Sequence, residues 1–591
     1  MALFHSKISL HVPPPDDISL PQFMLDGAAH PNRPRRPEGT PWLIDEETGK
    51  EVSEAEVISR TDAFARAMHA IWSIGNNDCI VLGYVSPTRS VVALYIPNHI
   101  DYPISIWGAH RLGAIAAMTS PALTVPELIY QLEIARPRLL LAHIDNLANA
   151  LEAADMIGLP HDHVIVFDAH KAEARGRLPD GVRSVEEIIQ SGVGMPKYPE
   201  CRLKKGEAKT KIAVLCYSSG TTGKPKAVAV SHYNLVCNIL QNAATWRLNE
   251  DYAPTEEIRF VPGDRCAAVL PLYHIYGLLA NLHITLFGGM SVIIIQKYNH
   301  ENLLRSIEHY RITHLFLVPP QVVVFCKHPS TRKHDLSHVR CCMVAAAPLT
   351  AELTSQLLEI MPQVHLGQAY GMTETTSAVS TKVGTPGSSG HLIAGTTAKV
   401  VKPDGTLARV GEPGELWVKG GQVTLGYYRN LAATREAFTE DGWIRTGDEV
   451  VIHENGDLFV TDRIKELIKV RGHQVAPAEL EGHLLAHPAV ADAGVVGVPD
   501  DFSGETPFAF IVLHPSPQAS VSVDLDAARD MRESIYQHVA KVKSREKWLG
   551  GGVEFVDTIP KNASGKILRR VLRERARTLP TRIDFMGKTK L

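Results

Sequence analysis

Short apolar runs alternate with helix-like patterns along the first half of the chain. Residues 91–96, 139–142 and 164–167 are continuous apolar runs of strand length, whereas residues 60–73 place apolar side chains at helical spacing. Continuous apolar runs are typical of strands that are buried on both faces, as in parallel sheets covered by helices. The pattern therefore predicts an α/β fold with mainly parallel sheets.

Residues 217–226 have the sequence YSSGTTGKPK and directly follow the apolar run 212–216. Glycines let consecutive backbone N–H groups turn toward one point, where Ser and Thr hydroxyls and a lysine complete an anion nest. The run is not a Walker A motif, because only two residues separate Gly220 from Gly223 and Pro225 follows the lysine. A solvated linker is the ordinary alternative, but the flanking strand and the helix pattern from about Ser231 weaken it. The predicted phosphate-binding residues are Ser218, Ser219, Gly220, Thr221, Thr222, Gly223 and Lys226.

Five further runs carry unusual residue combinations. They are LPLYHIYG at 270–277, VAAAPL at 344–349, GQAYGMTE at 367–374, WIRTGD at 443–448 and TDRIKELIKVRGHQVAP at 461–477. A sixth, IPKNASGKILRR at 559–570, has the glycine, serine and asparagine of an exposed loop tip. Taken singly, each has an ordinary structural explanation, such as a core histidine, a helix cap, a turn aspartate or a solvated charged face.

The run YSSGTTGKPKAVAVSH resembles the signature of the adenylate-forming superfamily of acyl-CoA synthetases, luciferases and peptide-synthetase adenylation domains. The other six runs resemble further motifs of that superfamily in the same order, over about residues 58–570. The sequence is most similar to the branch of 4-coumarate:CoA ligase-like enzymes, including QVAPAELE at 474–481. The resemblance implies an ATP-dependent ligase. It would activate a hydrophobic carboxylic acid, aryl or of medium to long chain, as acyl-AMP and transfer the acyl group to CoA.

The same resemblance implies two domains. Residues 1–461 would form a large N-terminal adenylation domain of several subdomains with mainly parallel sheets. Residues 462–591 would form a small, mobile α+β C-terminal domain that carries the hinge and the catalytic lysine. The active site is expected at the junction of the two domains.

The resemblance also assigns the nucleotide-binding roles. Tyr370 would stack on adenine, Thr373 would hydrogen-bond the α-phosphate, and Glu374 would hold the Mg²⁺ ion that accompanies ATP. A carboxylate suits Mg²⁺, a hard cation that keeps most of its ligands as water and phosphate oxygen. Asp448 would accept hydrogen bonds from the ribose hydroxyls, and Arg463 would contact the ribose or the phosphates.

Several basic and polar residues belong to the motifs at 461–477 and 559–570. By resemblance, Lys566 is the catalytic lysine that reaches the phosphates as a compact point charge, and Lys465 is the hinge residue. Lys469 and Gln474 match positions that approach the adenylate. The positions that match the family's CoA path are Lys297, Arg471 and Gly472. Arg471 stands where the family carries lysine.

The acyl pocket is assigned in the same way. His274 would position the substrate carboxylate and gate the thiol tunnel, while Tyr276 would form part of the pocket wall. Ala346, Gln368 and Ala369 complete the predicted pocket. At 344–345 and at 369, this chain carries Val-Ala and Ala where the family carries Ser-Gly and Gly, which predicts a narrower pocket. Elsewhere, residues 104–116 resemble the family's early helix, and the glycine-rich residues 384–395 predict a loop.

Composition narrows the function classes further. With 45% apolar residues, 21% charged residues and a net charge of -3, the chain gives no reason to expect a nucleic-acid partner. The eight cysteines show no CxxC spacing, which predicts neither a disulfide framework nor a zinc site. No signal-peptide pattern and no run long enough for a membrane span are visible. The expected partner is a small carboxylic acid.

The sequence leaves open the compartment in which the protein works and the thiol that accepts the acyl group. Thr589-Lys590-Leu591 resembles the small-basic-leucine address of peroxisomal import, with threonine in place of serine, and a cytoplasmic protein is the alternative. A luciferase-like oxidase or a protein that loads a carrier would share the adenylating motifs. A catalytically inactive binding protein is disfavoured, because the phosphate loop, Glu374, Asp448 and Lys566 are all present.

Overall fold

A computed structural model describes residues 3–27, 29–75, 90–172, 178–218, 224–254, 257–383, 385–471, 473–500, 502–561 and 565–579. Some predicted residues lie outside these ranges and stay predictions; they are Ser219, Gly220, Thr221, Thr222, Gly223, Gly472, Thr589, Lys590 and Leu591. The described chain is divided among four sheets and the helices that cover them.

The first sheet has seven strands and is parallel except for one edge pair. In spatial order its strands are Lys226–Ser231, Ile212–Ser218, Ile115–Thr119, Val91–Tyr95, Leu139–His143, Val164–Phe167 and Arg183–Ser184. Only Lys226–Ser231 runs antiparallel to its neighbour, with Lys226 opposite Ser218. The two ends of the predicted phosphate loop are therefore held side by side.

The second sheet has nine strands and is parallel in its centre. Its order is His391–Leu392, Ser377–Val383, His365–Met372, Cys341–Val344, His314–Leu317, Arg265–Ala268, Ser291–Ile294, Leu43–Asp45 and Glu51–Val52. The six strands from His365–Met372 to Leu43–Asp45 are parallel, and the outer pairs are antiparallel. The predicted α/β class with mainly parallel sheets is confirmed.

Two smaller sheets follow. An antiparallel sheet contains Leu3–His5, Thr397–Val401, Gly414–Lys419, Ile444–Ile452 and Leu458–Arg463. The C-terminal sheet contains His473–Val475, Ile468–Val470, Gly504–Leu513 and Val490–Asp500, with Gly552–Phe555 paired to Gly504–Leu513. The predicted domain boundary at 461 lies inside the strand Leu458–Arg463, so the chain changes sheet only after Arg463.

Helices cover the faces of these sheets. The α-helices are Leu20–Leu25, Glu54–Trp72, Tyr102–Arg111, Val125–Ala135, Leu147–Ile157, Val185–Val193, His232–Thr245, Thr285–Phe287, His300–Tyr310, Pro319–Lys327, Ala351–Ile360, Leu431–Ala437, Pro477–Leu485, Pro515–Val523, Leu525–Ala540 and Arg569–Thr578. A π-helical segment, Gly277–Ile284, and short 3₁₀ turns such as Thr373–Thr375 complete the described elements. Among the described residues, no helix has both the length and the apolar character that crossing a membrane requires.

The seven-stranded sheet separates two apolar cores. In the strand Val91–Tyr95, Val92 and Leu94 join the large core shared with the nine-stranded sheet. Val91, Ala93 and Tyr95 point to the other face and pack in a second core. Both faces of this strand are buried because successive side chains alternate, which explains why it reads as a continuous apolar run.

Two local predictions are wrong. The predicted helix over 104–116 ends at Arg111, and residues from Ile115 form the strand Ile115–Thr119. Because nearly every residue of this stretch is buried, its sequence lacks the polar face that would mark the end of a surface helix. The predicted loop over 384–395 contains the edge strand His391–Leu392.

Asn98 links the seven-stranded and nine-stranded sheets. Its Nδ2 donates to the carbonyl oxygens of Ala268 and Leu270 at 2.9 Å and of Ile295 at 3.2 Å. Its Oδ1 accepts from the N–H of Leu272 at 2.8 Å. Asn98 is buried and follows a strand of the first sheet, whereas its partners lie at or just beyond the ends of two strands of the second. This one side chain therefore positions the segment that leads into the histidine motif.

The C-terminal residues contact the nine-stranded half through a half-buried lysine. Lys327, at the end of the helix Pro319–Lys327, donates from Nζ to the carbonyl oxygens of Leu485 at 3.1 Å and Val490 at 2.7 Å. Leu485 is the last residue of its helix, so its carbonyl has no partner within the helix and attracts a cation. This contact holds the C-terminal sheet against the larger part of the chain.

We predict that Asn98→Leu destabilises the protein, because it removes the shared partner of four buried main-chain groups and leaves them unsatisfied. The expected loss is on the order of 3 kcal/mol. Differential scanning fluorimetry at one scan rate should show a melting midpoint lower by several degrees. The control Asn302→Leu changes an exposed asparagine on the helix His300–Tyr310 and should leave the midpoint unchanged. Equal midpoints for the two variants would contradict the linking role.

Candidate active site

A cavity of about 790 Å³ lies where the sheets and the C-terminal residues meet. Parallel strands of both large sheets point their carboxyl ends at it, which is where open α/β sheets bind ligands. Twelve predicted site residues line it: Ser218, Lys226, His274, Tyr276, Ala346, Ala369, Tyr370, Thr373, Glu374, Arg463, Lys465 and Lys566. Residues almost 350 positions apart in the sequence, from Ser218 to Lys566, therefore form one site.

Glu374 lies at the tip of a β-hairpin. The strand His365–Met372 ends, the 3₁₀ turn Thr373–Thr375 reverses the chain, and Ser377–Val383 returns antiparallel. Gly371 makes this close return possible, because a Cβ there would lie 1.5 Å from the carbonyl oxygen of Ser377. The tight hairpin presents Thr373 and Glu374 together to the cavity.

Two hydroxyl groups orient the Glu374 carboxylate. The Ser218 hydroxyl donates to Oε1 at 3.0 Å, and the Tyr427 hydroxyl donates to the same oxygen at 2.9 Å. Burial and the nearby Glu374 raise the pKa of Tyr427, so its phenol remains a donor at neutral pH. Lys226 Nζ lies 4.8 Å from the centre of the Tyr427 ring. Ser218 and Tyr427 therefore hold the carboxylate, and Lys226 lies over the ring of Tyr427.

Tyr370, Asp448 and Arg463 form a second polar group. The Tyr370 hydroxyl donates to Asp448 Oδ2 at 2.6 Å, and Arg463 Nε lies 3.5 Å from Asp448 Oδ1. Burial and the carboxylate raise the pKa of Tyr370 well above its usual value. Asp448 and Arg463 are register partners on neighbouring strands of the antiparallel sheet, which explains their proximity. Asp448 is buried behind Tyr370 and does not itself line the cavity.

Lys566 reaches the cavity from the C-terminal part of the chain. A bridge between Lys561 and Ile567 closes the base of its loop. Burial lowers the pKa of Lys566 to about 8; nearby Arg463 adds to this effect, whereas Glu466 and Asp448 oppose it. An ammonium group with this pKa is still mostly charged at neutral pH. Its proximity to Arg463 creates a positive centre that favours a polyanion.

The other half of the cavity is largely apolar. Trp246 stacks against Phe316 with ring centres 6.1 Å apart, and the Tyr276 ring meets Phe316 edge to face at 6.4 Å. The Tyr276 hydroxyl donates to the carbonyl oxygen of Met343 at 3.2 Å, which fixes the ring as a wall. Ala346 has a φ of +76°, a conformation that favours glycine, and it lines the cavity together with Ala369.

His274 lines the cavity two residues before Tyr276. Burial lowers its pKa to about 4, so the imidazole is neutral near pH 7. Its Nδ1 accepts from the N–H of Tyr276 at 3.3 Å, which assigns the proton to Nε2. A neutral ring with an Nε2–H donor can hydrogen-bond a carboxylate without forming an ion pair with it.

Other predicted residues lie outside this cavity. The Gln368 amide bonds both main-chain groups of Leu349, so it shapes the loop next to Ala346 rather than facing the cavity. Lys469 and Gln474 are exposed and opposite each other in a hairpin of the C-terminal sheet. Arg471 stacks its guanidinium on Phe502 with a 4.5 Å distance to the ring centre.

Lys297 also lies elsewhere. It is exposed and lines a separate open cleft together with acidic residues such as Asp101 and Glu186. No residue of that cleft lines the main cavity. Lys297, Lys469, Gln474 and Arg471 do not line the main cavity, and their contacts with CoA or the adenylate stay predictions.

Tyr427 is a site residue that the sequence did not reveal. It lies 53 positions from its partner Glu374, in a run, GYYRN, that has no charged or glycine-rich signature of its own. Its main chain forms an isolated bridge with Val228 on the strand that follows the phosphate loop. Only this long-range pairing brings the phenol to the carboxylate, so a local pattern could not have identified it.

Comparison with known proteins identifies the family. The family model described as AMP-binding enzyme matches residues 34–428, and the model described as AMP-binding enzyme C-terminal domain matches residues 479–566. The chain belongs to the AMP-binding enzyme family. The predicted membership of the adenylate-forming superfamily is thereby confirmed, and both family models fall where the motifs had been recognised.

The relatives in this family are acyl-CoA ligases. An acyl-CoA ligase, easD, of Emericella nidulans is 33% identical over 95% of this chain and 97% of its own length. A 4-coumarate–CoA ligase-like protein 4 of Oryza sativa subsp. japonica is 35% identical over 91% of this chain and 90% of its own. The crystal structure of the anthranilate CoA ligase AuaEII in complex with anthranoyl-AMP superimposes with a TM-score of 0.77. The two chains are 25% identical, over 95% of this chain and 98% of that one.

We predict that deprotonation of Lys566 limits acyl-AMP formation at alkaline pH. Because its pKa is lowered to about 8, the ammonium charge should be lost as the pH rises through that value. The kcat/KM for ATP, which reports the free enzyme, should then fall about tenfold per pH unit. Pyrophosphate release measured from about pH 6 to about pH 10 tests this.

The matched variant is Lys566→Arg, whose guanidinium stays charged across that range. Lys566→Arg is expected to be less active than the wild type at neutral pH, but its kcat/KM should not fall as the pH rises through about 8. An identical alkaline limb in wild type and Lys566→Arg would assign the titration to another group.

Proposed function

We propose that this protein is an ATP-dependent acid–thiol ligase of the acyl-CoA synthetase class, similar to 4-coumarate:CoA ligases. It would join a hydrophobic carboxylic acid to CoA through an acyl-AMP intermediate. The observation that carries the proposal is the division of one cavity into a charged half, with Lys566, Arg463 and Glu374, and an apolar half walled by Tyr276 and Phe316. Such a cavity suits a polyphosphate in its charged half and a hydrophobic acid in its apolar half.

The charged half fits ATP with Mg²⁺. Among the described residues, no group of three or more His, Cys, Asp or Glu side chains could hold a metal ion by itself. Mg²⁺ commonly binds through one or two carboxylates together with substrate phosphates, and Glu374, held by two hydroxyl donors, supplies such a carboxylate. When bound, Mg²⁺ would neutralise charge on the phosphates. Asp448 and Tyr370 support recognition of the nucleoside, as the resemblance implies.

In the first half-reaction a carboxylate oxygen of the acid attacks the α-phosphorus of ATP. The bond from that phosphorus to the bridging oxygen breaks, and pyrophosphate leaves. The protein contributes mainly position and charge, because phosphoryl and nucleotidyl transfer need little covalent help. The buried Lys566 ammonium and the Arg463 guanidinium would stabilise the negative charge that collects on the leaving group. Thr373 and the phosphate loop would fix the α-phosphate.

His274 suits the task of orienting the acid. As a neutral imidazole with its proton on Nε2, it can donate one hydrogen bond to a carboxylate. A charged histidine would form a tight ion pair and lower the nucleophilicity of that carboxylate. The lowered pKa of His274 therefore supports a role in positioning the acid rather than in proton transfer.

In the second half-reaction the CoA thiolate attacks the acyl carbon, and AMP leaves with its bonding electron pair. Lys469, Gln474 and Arg471 face away from the cavity while Lys566 occupies it. The resemblance implies that the C-terminal residues rotate about Lys465. Lys566 would then leave the cavity, and the segment with Lys469, Gln474 and Arg471 would take its place. Lys465 is exposed, and its side chain forms a surface ion pair with Glu436 at 3.7 Å, which a change of the Lys465 backbone angles would break at little cost.

Two alternatives carry less support. A luciferase-like oxidase shares the motifs, but the similar proteins described above are named as CoA ligases. A carrier-loading protein would differ in its acceptor thiol. The deciding experiment is a panel of aryl acids and of fatty acids from about four to about eighteen carbons. Pyrophosphate release, with and without CoA, and the acyl-CoA product are measured for each. Pyrophosphate release with no CoA thioester for any acid would overturn the proposal.

We predict that Lys566→Ala abolishes acyl-AMP formation while sparing the second half-reaction. The lost contact to the transition-state phosphate is worth about 3 to 4 kcal/mol, or roughly 10² to 10³ in rate. The mutant should still convert supplied acyl-AMP to thioester. Lys561→Ala, on the same loop, serves as the control for local disruption. If both half-reactions fall together in folded Lys566→Ala, the assigned role is wrong.

We predict the opposite pattern for Lys465→Pro. Proline fixes φ and removes an N–H donor, so it should restrict the hinge without touching the phosphate-binding residues. First-turnover pyrophosphate release is expected to persist, whereas thioester formation is expected to fall. Lys465→Ala removes the side chain but keeps the backbone freedom, and it should retain both activities. Normal acyl-CoA production by Lys465→Pro would refute a hinge at this residue.

A further inference from the structure

A buried glutamine next to the phosphate loop has a side-chain amide that bonds nothing. Gln131 lies on the helix Val125–Ala135, lines the main cavity and is 4% exposed. Its Oε1 is buried and has no hydrogen-bond partner, and its Nε2 makes no hydrogen bond within the described part of the chain either. A buried amide without partners costs free energy, and a ligand that supplies a partner recovers part of that cost.

The helix of Gln131 is attached to both ends of the phosphate loop. The hydroxyl of Tyr217, the residue before Ser218, donates to the main-chain oxygen of Gln131 at 2.8 Å. The Tyr130 hydroxyl donates to the main-chain oxygen of Pro225 at 3.2 Å. Two neighbouring residues of one helix therefore hold the chain just before and just after the loop. Gln131 lies at the base of the loop and lines the cavity together with Ser218 and Pro225.

Gln131 and Glu374 lie on opposite sides of the strand that leads into the loop. Successive side chains of a strand point to opposite faces. Accordingly, the Ser218 hydroxyl bonds Glu374, whereas the Tyr217 hydroxyl bonds the helix of Gln131. An anion at the carboxyl end of this strand would therefore have the Glu374 side on one flank and Gln131 on the other.

One cation and one anion stand close to Gln131 in this part of the fold. Lys224 Nζ lies 4.8 Å from the centre of the Tyr130 ring. Glu127 also lines the cavity, but its Oε2 accepts from the main-chain N–H and the hydroxyl of Thr124 at 2.9 and 2.8 Å. These bonds tie the Glu127 carboxylate to the N-terminus of the helix. The Gln131 amide is left to donate to an anion in the cavity.

We propose that Gln131 Nε2 donates a hydrogen bond to a phosphate oxygen in the pyrophosphate part of ATP. The α-phosphate has to meet the acid in the apolar half, so the β- and γ-phosphates extend toward the loop base. Ionised phosphate oxygens only accept, and the unbonded amide can present Nε2 to them. The contact ends when pyrophosphate leaves. This inference rests on the proposed function, because it adds a residue to the phosphate end of the same cavity.

The binding of ATP and of AMP tests the contact. Gln131→Met keeps an unbranched side chain of similar length and removes the donor. Its Kd for ATP with Mg²⁺, measured by calorimetry in the absence of an acid, is expected to rise by about 10- to 100-fold. The Kd for AMP, which has no pyrophosphate part, should stay within about twofold of the wild-type value. The AMP measurement also shows that the variant has kept a folded nucleotide site.

Gln131→Glu separates a direct contact from mere support of the loop. Glutamate is closer in shape to glutamine than methionine is, so a residue that only shaped the loop would tolerate glutamate better. A direct contact predicts the reverse, because a carboxylate repels a phosphate. The Kd for ATP should then be higher in Gln131→Glu than in Gln131→Met. The control Glu133→Gln, exposed on the same helix and outside the cavity, should bind both nucleotides like the wild type.

The outcomes separate the two proposals. Three results would each overturn the contact: wild-type affinity for ATP in Gln131→Met, equal weakening of ATP and AMP, or better ATP binding by Gln131→Glu than by Gln131→Met. The ligase function would stand in all three cases if the wild type forms acyl-CoA. If no acid gives a thioester, the proposed function fails, and the affinities for ATP and AMP still decide the role of Gln131.

Discussion

The central constraint in this protein is the removal of a lysine ammonium from water next to another cation. Lys566 loses hydration on entering the cavity, and its proximity to Arg463 adds repulsion, so its pKa falls to about 8. Two carboxylates, Glu466 and Asp448, partly compensate. Such a positive centre is costly by itself and is relieved by a polyanionic ligand. The arrangement thus favours the phosphate end of ATP over any neutral occupant.

That constraint explains how the C-terminal residues are attached. Lys566 lies on a short loop rather than in the core, and the loop is held by the Lys561–Ile567 bridge and by contacts of the C-terminal part with the larger sheets. Arg569 follows on the next helix and pairs with Glu466 and Glu481. Of these contacts, the Lys327 hydrogen bonds join the C-terminal part to the larger sheets, whereas the Arg569 pairs lie within the C-terminal part. Polar contacts such as those of Lys327 can break without disrupting an apolar core, which suits the motion that the proposed mechanism requires.

The acyl half of the cavity is shaped by the packing of apolar side chains rather than by charge. Its walls are aromatic and aliphatic side chains of two sheets and two helices, and their shape is set by close packing. His274, kept neutral by burial, lines the same cavity. Within it, specificity depends on few polar atoms, because each buried donor or acceptor has to be matched.

The sequence by itself determined the fold class and the charged half of the site. Fully buried strands such as Val91–Tyr95 and Val164–Phe167 need continuous apolar runs, so they could be located from pattern alone. Glu374, Arg463 and Lys566 stand in runs whose residue types are unusual enough to be recognised. The same burial hid the end of the helix Tyr102–Arg111, since a segment without a polar face carries no boundary signal.

Only the tertiary structure decided which residues share a cavity. Tyr427 reaches Glu374 through a bridge to Val228, and Asn98 joins two sheets through four hydrogen bonds. Lys469 and Gln474 are turned away because their hairpin belongs to the C-terminal sheet, whose orientation is independent of their local sequence. Hydrogen-bond partners and pocket walls are set by long-range packing, and neighbouring residues in the chain do not encode them.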